Sequence, residues 1–175
     1  MRSKIYTISI FLLIGTLMSS CASDDDLSYQ NDFQNSQKAW LIFKDKSEDS
    51  YTYTIAGGSW VGYSWETKIT VSNGKIIQRH FNYIMTEGLN DLSQEEMEWV
   101  ETGEDIGSHE NQGADALTLD DIYNKAENIW LIKRDHAKIY FETDTNGLIA
   151  TCGYIENGCM DDCFVGIKIK SIESL

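Results

Sequence analysis

Residues 38–175 read as one α+β domain, an antiparallel sheet of about six strands with two main helices packed on one face. Three observations predict this. Apolar and polar residues alternate with a period of two in two separate groups of three runs. Each group contains a turn, Asn73-Gly74 in the first, whose residues tolerate positive φ, and Asp144-Thr145-Asn146-Gly147 in the second. Between the groups stands a helix-start pattern, Thr118-Leu119-Asp120-Asp121.

The elements follow in chain order. Ser36 is placed to cap a short helix whose apolar side is Trp40, Leu41 and Phe43. Tyr51, Tyr53 and Ile55 then alternate with Thr52 and Thr54 until Gly57-Gly58-Ser59 breaks the run. Residues 65–71 set Trp65, Thr67, Ile69 and Val71 against Glu66, Lys68 and Thr70, and the turn at Asn73-Gly74 leads into a third strand over 75–83. Residues 86–116 form an acidic insert with Glu95, Glu96, Glu98, Glu101, Glu104 and Asp105. It is too long for a plain connection, and Met97, Trp99 and Val100 predict that part of it folds back onto the domain. The second helix runs from Thr118 through Ile122, Ala126 and Ile129 to Trp130, with acidic residues in its first turn where the helix dipole favours them. Residues 138–143 alternate Ile139 and Phe141 against Tyr140 and Glu142, the turn at 144–147 reverses the chain, and 148–154 return. An Asp- and Cys-rich loop precedes the last strand, 164–172. The chain has no proline, which excludes proline-rich linkers and polyproline ligand segments.

The segment ahead of the domain carries an address. Arg2 and Lys4 precede an apolar stretch over residues 5–18, followed by Ser19-Ser20-Cys21. That is the layout of an export signal, too short and wrongly flanked to span a membrane. With Cys21 after small residues it resembles a bacterial lipobox, so residues 1–20 are expected to be removed and Cys21 acylated. Three acyl chains would hold the protein on a membrane, each buried CH₂ contributing roughly 0.8 kcal/mol. Residues 21–37 read as the acylated cysteine and a flexible acidic tether, polar and rich in Asn and Gln. Asp24, Asp25 and Asp26 resemble the acidic signal that sends Bacteroidetes-type lipoproteins to the outer face of the outer membrane. The expected location is the outer membrane, at the cell surface, with the periplasmic face as the alternative.

Subtracting Arg2 and Lys4 from 14 basic residues leaves 12 against 28 acidic ones, a formal charge of −16 for the processed chain. Nucleic acid is thereby excluded as a partner, since its phosphates require clustered Lys and Arg. The expected partners are the membrane, through the lipid anchor, and an unidentified protein or glycan.

The Tyr-x-Tyr strand at 51–53, the Ile-Thr-Val-Ser-Asn-Gly-Lys-Ile hairpin, Thr-Leu-Asp-Asp-Ile-Tyr at 118–123 and the closing Asn-Gly-Leu-Ile-Ala and Asp-Asp-Cys-Phe-Val-Gly-Ile segments together resemble domain-of-unknown-function family 6174. The likeness spans roughly residues 38–172 and departs over 86–116, where this chain is longer. The resemblance implies a small secreted or lipid-anchored domain and carries over no catalytic residue.

Cys152, Cys159 and Cys163 remain once Cys21 is assigned to lipid, and an odd number in an oxidising compartment implies one disulfide and one spare thiol. The spacing leaves all three pairings open. A Cys-x-x-x-Cys without a neighbouring histidine is not a thioredoxin-like or zinc pattern. Residues 142–147 imitate the start of an EF-hand loop, but the first ligand is Glu142 and the twelfth position is Gly153, so a hairpin turn explains them. His80, His109 and His136 are isolated and belong to no catalytic arrangement. No metal or cofactor is expected. Trp60, Tyr63 and Trp99 are the candidate binding aromatics, as faces for a sugar or protein surface. The function these features favour is a non-catalytic surface binding module. The alternatives are a small envelope hydrolase working through carboxylates such as Glu101, Glu104 and Asp120, and a periplasm-facing assembly factor.

Overall fold

The computed structural model describes residues 24–60, 62–89, 91–161 and 163–175, so Cys21 and the signal segment lie outside the described residues. The chain divides after Asn31, and the packing below is that of Asp32–Leu175. Its elements are α1 (Asp24–Lys46), β1 (Tyr51–Gly58), β2 (Tyr63–Ser72), β3 (Lys75–Thr86), α2 (Gln94–Met97), β4 (Glu98–Thr102), α3 (Leu119–Lys125) with a π turn at Ala126–Trp130, β5 (Ala137–Thr143), β6 (Ile149–Glu156) and β7 (Val165–Ser174). The described residues form an α+β fold, one antiparallel sheet of seven strands in the order β4-β3-β2-β1-β7-β6-β5 with three helices.

The two groups of alternating runs are two meanders, and the last strand closes them into one sheet by pairing with the first, Tyr51↔Ser174 and Tyr53↔Ile172. Both expected turns form. Asn73 and Gly74 take φ of 49° and 73°, the left-handed pair that a two-residue hairpin requires. The second turn is tied by its own side chain, with Asp144 Oδ1 accepting from the N–H groups of Asn146 and Leu148.

Register puts Tyr51, Tyr53 and Ile55 beside Val71, Ile69 and Thr67, and these beside Ile76, Arg79 and Phe81, all on one face. Helices and insert cover that face, where Ile69, Val71, Phe81, Ile149 and Cys152 are fully buried. The opposite face carries Lys68, Thr70, the His80–Glu98 pair and the Lys170–Glu66 pair, the half-solvated pattern of an antiparallel sheet.

Two readings of the sequence need correction. The stretch expected to be a tether through residue 37 is helical from Asp24, and Ser36 sits inside α1 rather than capping it. The helix is anchored by a stripe of buried residues at Phe33, Ser36 and Trp40, spacings of three and four that stack along one helical face. Leu41, expected on the apolar side, is exposed. Trp40 lies flat on Tyr123 of α3, with centroids 5.9 Å apart, and edge-on to Tyr51, while its indole N–H donates to Asp120 at 2.9 Å. Ser36 Oγ meets the Tyr123 hydroxyl at 2.8 Å, where a larger residue would hold the two helices apart. The second correction is β4, a seventh strand inside the acidic insert, with Trp99 and Glu101 turned inward. Ahead of it Ser93 and Glu96 form a capping box on α2. Thr118 and Asp121 form the one expected on α3.

Candidate functional site

A cleft opens where the sheet parts. A register shift between Thr54 and Ile55 disturbs the β1–β7 ladder, which ends at Ile55↔Ile169. Such bulges terminate pairing and recur beside functional sites. Beyond this point residues 56–58 pair only with β2, and residues 165–168 pair only with β6. The space between them is a cleft of about 490 Å³, within the range of small-ligand sites. Trp65 lines it and rests on Gly57, its cross-strand partner; a Cβ on Gly57 would fall 2.2 Å from the indole. Trp130 and Lys125 line it from the π turn and the end of α3, and Phe164 and Lys168 from β7 and the loop before it. A π turn is itself rare and concentrates at functional positions. The Lys125 ammonium lies 6.0 Å from the centre of the Trp130 ring and 3.9 Å from Asp115, and that of Lys168 lies 4.9 Å from the Phe164 ring.

The remaining wall is the insert, fixed in place by a buried ion pair. Arg79 on β3 and Glu101 on β4 face each other across the ladder, 2% and 1% exposed. Arg79 Nη1 reaches both carboxylate oxygens at 3.0 Å, and its other nitrogens donate to the carbonyls of His109, Gln112 and Ala114. Glu101 in turn accepts from the N–H groups of Gly107 and His109, from Ser108 Oγ and from the His109 ring. One salt bridge thus binds both sides of the loop at 107–114 to the sheet. Ala114 N–H donates to Thr67 Oγ1, and Gly113, at φ 73°, passes so close to Thr67 and Phe81 that no side chain fits. Tyr53 donates to the Leu117 carbonyl, completing the attachment beside the cleft.

Burial pushes the Glu101 carboxyl up. The N–H groups of Gly107 and His109, the His109 ring and the Arg79 guanidinium push it down further, to about 2. A carboxyl held below its ordinary value of 4.5 adds stability that is complete above that value and disappears as pH falls through 2. Urea unfolding between pH 5 and 2 should therefore show stability declining with acid, and Glu101→Gln should flatten that decline. An unchanged slope in the variant would show that other carboxyls govern acid unfolding.

The candidates named from sequence are placed as follows. Trp60 is 80% exposed in the β1–β2 turn, and Met160 is 92% exposed in the β6–β7 loop. Because β1 ends where the antiparallel β7 begins, both loops stand at the cleft end of the sheet. Tyr63 is half-buried and edge-on to Tyr83, with centroids 6.0 Å apart. Trp99 does not present a binding face: it is buried between Phe81 and His109, with the Arg79 guanidinium 4.6 Å from its ring. Cys159 pairs with Cys163, Cα atoms 6.1 Å apart, within the β6–β7 loop. Among the described residues Cys152 is the free thiol, buried, and burial pushes it up to about 12, which makes it inert. The side chains at 24–26 lie outside the described residues. Of the carboxylates weighed for catalysis, Glu101 is committed to Arg79 and Asp120 to Trp40 and Lys44, while Glu104 is exposed. Sequence reading missed Trp65, Lys125, Trp130, Phe164 and Lys168 as lining residues, since no spacing along the chain relates them.

No protein family, curated protein or solved structure was found to match this chain. The resemblance to family 6174 expected from the sequence finds no support in these comparisons.

Proposed function

We propose that this chain is a lipid-anchored, non-catalytic binding module of the outer membrane, displayed at the cell surface and capturing its ligand in the cleft where β1 and β7 part. The observation that carries this reading is the cleft itself, with three aromatic rings and two ammonium groups converging on a gap in an otherwise paired sheet. Catalysis is disfavoured because the buried carboxylate among the hydrolase candidates is held strongly acidic by the N–H groups of Gly107 and His109, the His109 ring and Arg79, the opposite of a general acid. Trp60 and Met160 extend the apolar surface on the loops at that end. The address rests on Cys21 and the acidic run after it.

Two measurements test the two halves of this reading. Protease added to intact cells should cleave the native chain and spare one in which Asp24, Asp25 and Asp26 are all changed to Ala; protection of both would place the domain inside the envelope. The apolar anionic dye anilinonaphthalene sulfonate should bind the folded chain at a single saturable site. Ala56→Trp, which fills the gap from an exposed position on β1, should abolish that binding. Absence of saturable binding, or binding indifferent to the substitution, would remove the cleft from consideration.

A further inference from the structure

The parting of β1 and β7 leaves two strand edges that, among the described residues, do not pair with each other. Residues 56–58 keep partners on β2 and residues 165–168 keep partners on β6, yet among the described residues no ladder pairing or backbone hydrogen bond joins the two segments across the gap. Every residue in both carries a backbone donor and an acceptor, because the chain contains no proline. Gly57, Gly58 and Gly166 carry no side chain at these edges, and their Cβ sites are taken by Trp65, by Tyr63 and Ser64, and by the Cys152 backbone. A bare edge of this kind is the template on which an extended chain adds as a further strand.

The charge around the gap is opposite to that of the molecule. The full chain carries 28 acidic against 14 basic residues, yet Lys125 and Lys168 line the cleft and Asp115 is the one carboxylate among its lining residues. Asp115 is shared with Lys125, whereas among the described residues no carboxylate lies within ion-pair distance of Lys168. An anionic group is repelled by most of this surface and attracted here. Trp65, Trp130 and Phe164 supply apolar and aromatic contact beside the two cations.

We propose that the cleft receives an extended peptide segment of a protein partner, one with an acidic side chain flanked by apolar residues. Its main chain pairs with the bare edge of β1 or of β7, its carboxylate meets Lys168 and Lys125, and its apolar side chains lie against Trp65 and Trp130. At a strand rise of about 3.3 Å per residue the bare edges accommodate three to four residues of the segment. This deepens the binding role proposed above and rests on it.

The test is selection of a phage-displayed library of random dodecapeptides on the full chain in detergent, followed by titration of a selected peptide into the ¹⁵N-labelled chain. The expected result is enrichment of acidic residues, and amide shifts concentrated at 56–58 and 165–168. Changing both Lys125→Glu and Lys168→Glu should weaken that peptide by about tenfold or more, and affinity should fall with added salt. The milder pair Lys125→Gln and Lys168→Gln should weaken it in the same direction, with circular dichroism confirming the fold in both. No enrichment, shifts confined elsewhere, or indifference to the lysine changes would overturn the peptide assignment. If a soluble glycan shifts those amides where peptides do not, or if the native chain binds the dye saturably and Ala56→Trp abolishes that binding, the cleft remains a binding site and only its ligand class is wrong. Failure of dye and peptide alike removes the binding role itself.

Discussion

Glu101→Ala should lower the unfolding free energy by about 3–5 kcal/mol, because it strands Arg79 as an unpaired charge in a site that water does not reach. For a chain of this length that is a fall in Tm on the order of 10 °C. Two further losses accompany it, since the N–H groups of Gly107 and His109 lose their acceptor. The paired change Arg79→Met with Glu101→Leu should recover part of the stability, as apolar replacements of buried ion pairs do. It should not restore the insert, because the carbonyls of His109, Gln112 and Ala114 lose the guanidinium they share. Calorimetry on the three variants, with amide hydrogen exchange over 107–114, separates these effects. A loss below 1 kcal/mol for Glu101→Ala would mean that the insert is not fastened through this pair.

Trp40→Ala should cost about 3–5 kcal/mol, the range for truncating a buried aromatic residue. The indole is 3% exposed and touches Phe43, Tyr51 and Tyr123, so the void it leaves is walled by rings that cannot all move in. Its N–H partner Asp120 keeps Lys44, which limits the polar part of the loss. Because the polar sequence of α1 leaves it few other apolar anchors, amides over 32–46 should exchange much faster in the variant while those of β2 and β3 change little. Uniform acceleration across the sheet would instead make α1 part of the cooperative core.

Where the structure departs from the sequence reading, the reason is the same at each place. The part of α1 before residue 38 looked like a tether because its buried stripe includes Ser36, a small polar residue chosen by contact with Tyr123 rather than by hydrophobicity. The strand β4 looked like acidic loop because its inward position is Glu101, which reads as solvent-facing until Arg79 is placed opposite. Trp99 looked available because its ring is covered by Phe81 and His109, residues far from it or unremarkable in sequence.

The sequence by itself determined the α+β class, the two meanders, the Asn73-Gly74 turn, the turn at 144–147 and the cap at Thr118, because each depends on alternation or backbone preference within a few residues. It also carries the features behind the expected lipid anchor. Only the tertiary structure decided which polar residues are buried, and where the sheet comes apart. A buried charge is stable only beside a partner from another strand, and the point where the β1–β7 ladder ends is a relation between residues more than a hundred positions apart, so neither leaves a period in the chain.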